Sequence, residues 1–158
     1  MSDERTSIVL EGNVTEKELS NLPKETKEVT VNGNVHISCT SKFKFDLIVH
    51  GNFSSEECKF DCFDIHVDGN FIAKGDIECI NITVGINLCV AGNLECSDIS
   101  VGCNLLVIKG DIECENIHVG NNLSAKGDVE GADIRVGGNL SVDGDVDCGC
   151  IYTGTNLS

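Results

Sequence analysis

The chain has 158 residues with no tryptophan, one tyrosine, one methionine and one proline, and aromatic residues make up 4% of it. Large rings therefore cannot fill its interior, which must be narrow and lined by Ile, Val, Leu, Ala and Cys. Basic residues are scarce: 11 Lys and Arg stand against 26 Asp and Glu, for a formal net charge of −15. That balance argues against nucleic acid or an anionic membrane as partner. No apolar stretch approaches the length of a membrane span, and Met1-Ser2-Asp3-Glu4-Arg5 lacks the basic and apolar pattern of a signal peptide, so a cytoplasmic location is expected. No Ser/His/Asp or Cys/His arrangement recurs at meaningful spacing. The sequence thus assigns no catalytic residues and no cofactor, and the chain is read as a non-enzyme.

What is present is a repeat. Asn34, Asn52, Asn70, Asn87, Asn104, Asn122, Asn139 and Asn156 follow one another at steps of 17 or 18 residues. A period this short, with no helix-length segment inside it, indicates a solenoid whose coils stack on one another. Three apolar columns run through it: Phe60, Ile77, Leu94, Ile112, Val129 and Val146; Ile65, Ile82, Ile99, Ile117, Ile134 and Ile151; and Phe53, Phe71, Leu88, Leu105, Leu123, Leu140 and Leu157. Each is followed two positions later by another apolar or small residue. Period-two alternation means short strands with one buried face, three to a coil. The fold class is all-β: a single-stranded parallel β-helix with triangular coils of 17–18 residues, about seven of them over residues 31–158. At roughly 4.8 Å per coil, the asparagine ladder would span about 34 Å. Ile108 is an extra residue relative to the preceding coil and reads as a bulge at a strand end.

Gly-Asx pairs such as Gly75-Asp76, Gly92-Asn93 and Gly110-Asp111 mark one corner, and Val-Gly-x-Asn marks another. Both are read as bends in which glycine supplies a positive φ. A second Asx column, Asp46, Asp64, Asn81, Asp98, Asn116 and Asp133, marks the third corner. Residues 1–30 form a small N-terminal α/β cap, with a strand at Ser7–Leu10 and a short helix opened by the Thr15-x-x-Glu18 capping box. At the other end Asn156, Leu157 and Ser158 stand on an uncovered coil and are the residues expected to mediate self-association.

There are ten cysteines. Cys62, Cys79, Cys96, Cys114 and Cys148 share one inward column and are read as small buried hydrophobes in a reducing compartment. Cys58-x3-Cys62 and Cys148-x-Cys150 lack the second pair that a zinc site would need. Cys89 and Cys103, at an outward position and a corner, are expected to be the reactive thiols.

The ladder of Asn70, Asn87, Asn104, Asn122 and Asn139 is structural: its amides hydrogen-bond along the stack. The acidic column Asp61, Glu78, Glu95, Glu113, Glu130 and Asp147 alternates with the inward residues of one strand and faces solvent. Neighbouring like charges about 4.8 Å apart repel by roughly 0.9 kcal/mol per pair even at the dielectric of water, and Lys74, Lys109 and Lys126 are expected to offset part of this. Glu78, Glu95, Glu113 and Glu130 are weak candidates for a divalent cation, since a flat row offers oxygens from one direction only.

The stretch Val119-Gly120-Asn121-Asn122-Leu123-Ser124-Ala125-Lys126-Gly127-Asp128-Val129-Glu130-Gly131-Ala132-Asp133-Ile134 resembles the bactofilins, polymer-forming cytoskeletal proteins of bacteria. The resemblance covers roughly residues 43–158 and implies a right-handed β-helix, nucleotide-free assembly by coil-on-coil end contacts, and a structural role. The cysteine content and the capped N-terminus depart from that family. Spacing of Ile, Leu and Val every five to seven residues also resembles the hexapeptide-repeat acyltransferases, but their cofactor-binding loops are missing and 17-residue coils break a six-residue count. The function expected is a non-enzymatic scaffold that self-associates through a solenoid end, as a dimer or a filament. The alternative is a monomeric recognition module that presents its acidic face to a basic protein or to divalent cations.

Overall fold

The computed structural model describes residues 6–56 and 59–158. Met1–Arg5 of the expected cap, and Cys58, lie outside the described residues.

The chain is a parallel β-solenoid of about nine turns, 56% strand and 3% helix. Every strand pairing is parallel and couples equivalent residues of successive coils. Ile65, Ile82, Ile99, Ile117, Ile134 and Ile151 stand in one continuous register. Phe53, Phe71, Leu88, Leu105, Leu123 and Leu140 stand in another, which a bridge extends to Leu157. The third runs from Phe60 through Leu94 to Val146. Alternation decides what is inside: along Leu105–Val107, Leu105 and Val107 are buried and Leu106 is exposed.

Three faces result. The first carries the acidic column, the second the outward positions beside the Ile65 column, and the third the strands from Val14–Thr15 to Leu140–Val142. In the lower coils the first two faces have separate strands, such as Ile77–Glu78 and Asn81–Val84. From Leu94 upward they merge into single eight-residue strands: Leu94–Val101, Ile112–Val119, Val129–Val136 and Val146–Thr153. Three strands per coil therefore holds only for the lower part. In Leu94–Val101 the buried residues are Leu94, Cys96, Ile99 and Val101. The three-residue step from Cys96 to Ile99 resets which side faces inward, and the strand runs on through this bend although Ser97 drops out of the pairing with the coil above. Ile108 lies just outside Leu105–Val107, exposed, and that strand keeps its register with both neighbours. An extra residue at a strand end is absorbed without slippage.

The N-terminal segment, outside the span in which about seven coils were counted, is itself a coil. Ser7–Glu11 pairs in register with Glu28–Asn32, and Val14–Thr15 pairs with Val35–Ile37. Asn34 donates to Asn13 at 3.1 Å, which starts the asparagine ladder one coil early. The helix Glu16–Ser20 takes the place of the third strand, opened by the capping box in which the Thr15 hydroxyl and backbone N–H bond Glu18. Leu19 is buried in the core, and the Ser38 hydroxyl and N–H donate to Glu16 at 2.6 and 3.1 Å. These bonds hold the Glu16 carboxyl below its usual pKa and fasten the helix to the coil above.

The glycine corners need a different explanation from the one the sequence suggested. Among the described residues only Gly12 has a positive φ. The other corner glycines are required by stacking: a Cβ on Gly102 would overlap the carbonyl oxygen of Gly85, and one on Gly120 that of Gly102. The interior also holds more aromatic packing than the composition implied. Phe43, Phe45, Phe53, Phe60 and Phe71 are all buried, with neighbouring ring centroids 4.5–6.3 Å apart. A small number of rings suffices because they are gathered into the lower coils.

Candidate functional site

Two regions can carry function: the last coil and the groove beneath the acidic column. In the coils below, inward side chains such as Leu105, Ile117 and Leu123 are 1% exposed. In the last coil Val146, Cys148 and Ile151 are only partly buried, and Leu157 is 57% exposed. Among the described residues the strand Val146–Thr153 pairs on one side only, with Val129–Val136, which leaves its other edge as a row of backbone donors and acceptors. Asn156 continues the ladder by donating to Asn139 at 3.2 Å, and Leu157 and Ser158 lie over Leu140 and Val142. The three residues named from sequence thus sit together on the third face of the last coil.

The ladders are built by side chains that grip the next backbone. Asn52 donates its N–H to Asn34 Oδ1 at 2.8 Å, Asn70 does so to Asn52 at 2.8 Å, and Asn139 to Asn122 at 3.0 Å. Between these ends Asn87, Asn104 and Asn122 each donate a side-chain N–H to the asparagine below at 3.0–3.1 Å. Sequence reasoning missed a second ladder of the same kind. Asn93, Asp111, Asp128 and Asp145 donate their N–H groups to Asp76, Asn93, Asp111 and Asp128 respectively at 2.8–3.0 Å. These corner Asp and Asn side chains satisfy backbone donors of the next coil. Their recurrence beside glycine was the available signal.

Glu78, Glu95, Glu113, Glu130 and Asp147 stand in register along the first face. They line a groove of about 600 Å³ together with Cys79, Cys96, Cys114 and Cys148. Cys62 and Cys79 have their sulfurs 3.6 Å apart. The neighbouring thiol and burial push Cys96 far above the ordinary thiol range, and the same two causes raise Cys62. Such thiols stay protonated at neutral pH and are poor nucleophiles and poor metal ligands. Among the described residues no group of three His, Cys, Asp or Glu side chains converges as a metal site would require. The cations on this face are Lys42, which bonds Asp61 at 2.5 Å, and Lys59, which bonds Glu78. Each carboxylate raises the pKa of its lysine partner. Lys74 and Lys126, expected to offset the acidic column, pair with Glu56 and Asp143, at 2.7 and 2.5 Å.

The nine described cysteines are free. Cys39 and Cys150 are the exposed ones, whereas Cys89 and Cys103 are half-buried, which corrects the expectation about reactive thiols. Cys150 replaces an outward Asx and so turns its thiol to solvent. His50 Nδ1 and His66 Nε2 both bond Asp68, at 2.7 and 2.8 Å, and hold its carboxyl below the usual range.

No helix among the described residues is long and apolar enough to cross a membrane. Comparison with protein-family models, with curated proteins and with solved structures finds no match to this chain.

Proposed function

We propose that this protein is a non-enzymatic scaffold whose copies join through the last coil. The observation that carries the reading is the contrast between that coil and the interior coils: an unpaired strand edge and a half-buried apolar column, where the coils between the two ends pair on both sides. A second copy offering the same edge would continue the hydrogen-bond ladder and cover Val146, Ile151 and Leu157. The likeness of the repeat to the bactofilins supports assembly by coil-on-coil contact and a cytoskeletal kind of role. At the opposite end Ser7–Glu11 also pairs on one side only among the described residues, but the helix Glu16–Ser20 stands in for one strand of that coil, so the two ends do not match and a contact between like ends, closing a dimer, is favoured over head-to-tail growth.

The test is the molar mass by light scattering of the wild type and of Leu157→Lys, which places a charge on the exposed column. The mass is expected to fall in the variant. An unchanged mass removes the last coil as the contact.

A further inference from the structure

The third face carries a feature that the end contact does not use. Its outward residues, His36, Ser54, Ile72, Cys89, Leu106 and Ser124 along successive rungs, include no carboxylate and no lysine. At its centre Ile72, Cys89 and Leu106 stand in register on adjacent rungs. Ile72 is 49% and Leu106 40% exposed, and Ile86 and Ile108, at the two flanking corners, are 42% exposed each. Outward strand positions elsewhere are mostly polar, with apolar residues such as Val9 and Ile48 standing singly, so an apolar cluster across three rungs is a local departure from the repeat. A shallow depression of about 350 Å³ lies beside Ile72 and Cys89, edged by Asn52, Asn70 and Asn87.

We propose that this face is a lateral contact between two copies of the chain, centred on Cys89. Charge selects the occupant. Each copy carries −15, and the first face is lined by carboxylates, so two copies cannot approach there without repulsion. The second face is polar and bears Arg135, stacked over Tyr152 at 5.6 Å. The third face combines an apolar centre with charges confined to its edge, where Lys74 pairs with Glu56 and Lys126 with Asp143. Its size also suits a second copy. Eight rungs at about 4.8 Å and a width of about five residues give roughly 650 Å² on each partner, near the lower bound for a specific reversible dimer.

A two-fold contact places like on like. Cys89 is the middle residue of its strand and lies on the middle rung of the apolar cluster. With the axis along that strand, Ile72 packs on Leu106 of the second copy. With the axis along the solenoid, each residue packs on its equivalent. In both arrangements Cys89 faces Cys89.

Cross-linking with a short bis-maleimide, followed by peptide mapping, tests this directly. It is run at mildly alkaline pH, because burial raises the Cys89 thiol. The linked species is expected to be Cys89 to Cys89, in preference to the more exposed Cys39 and Cys150. It should persist in Leu157→Lys, which separates it from the end contact, and should fall several-fold in Leu106→Glu. Leu106→Ser repeats the residue that this column already carries at Ser124 and Ser141, so its lost cross-link cannot be ascribed to misfolding. Links confined to Cys39 or Cys150, no link at all, or a yield unchanged in both Leu106 variants would overturn the proposal.

Discussion

Ile99 lies 2% exposed between Ile82 below and Ile117 above, held in register by its strand pairing with both coils. Ile99→Ala removes three buried carbons, which at about 0.8 kcal/mol each is a transfer loss of about 2.4 kcal/mol. The space cannot collapse, because the ladders fix the coils at about 4.8 Å spacing and the residues above and below are tied to their own strands. A cavity contribution therefore adds to the loss and brings it to about 3–4 kcal/mol, inside the range of Ile-to-Ala truncations in rigid cores. Ile80, 49% exposed at the bend of the first face, provides the control, and Ile80→Ala is expected to stay within about 0.5 kcal/mol. Denaturant unfolding followed by far-ultraviolet circular dichroism measures both. Ile99→Ala combined with Ile117→Ala should depart from additivity, since the two cavities share a wall. Equal losses for Ile99→Ala and Ile80→Ala would refute the stacked column.

Gly102→Ala is expected to destabilise by about 1–3 kcal/mol, because the added Cβ overlaps the Gly85 carbonyl and the coils must part. In the same unfolding assay, a neutral or stabilising result would show that stacking does not require glycine there. Asp68 has a depressed pKa in the folded chain, caused by its hydrogen bonds to His50 and His66. Its contribution to stability is thus fully present above the unfolded carboxylate value of about 3.9 and is lost as pH falls through the lower folded value. Wild type should exceed Asp68→Asn in stability at neutral pH, and the gap should close in acid; a gap independent of pH would count against it.

The repeat made much of the fold legible. Side chains that must stack on their own copies leave a period in the sequence, so the three apolar columns, the asparagine ladder and the inward cysteines could be read directly. What escaped was set by contacts rather than by period. The first coil is lengthened by a helix, so Asn13 falls 21 residues before Asn34 and outside the 17–18 rhythm. The corner glycines looked like residues chosen for backbone freedom, whereas overlap with the coil below decides them, a relation visible only once coils are stacked. Lys74 and Lys126 could be assigned to a corner but not to a partner, because a flexible side chain reaches either face. Of the candidate regions, Leu157 was identifiable as a member of the apolar column that begins at Phe53. The groove formed by Cys79, Cys96 and the glutamates depends on the bend inside Leu94–Val101, which alternation alone does not reveal.

The scaffold reading rests most directly on assembly. Electrostatic repulsion between strongly anionic copies makes that assembly salt-dependent, stronger where the Debye length is short. The decisive measurement is the sedimentation velocity of the wild type and of Leu157→Lys at low and high ionic strength. The account requires wild-type species larger than one chain that grow with salt and shrink in the variant. A wild type that sediments as a single chain at both ionic strengths would contradict it.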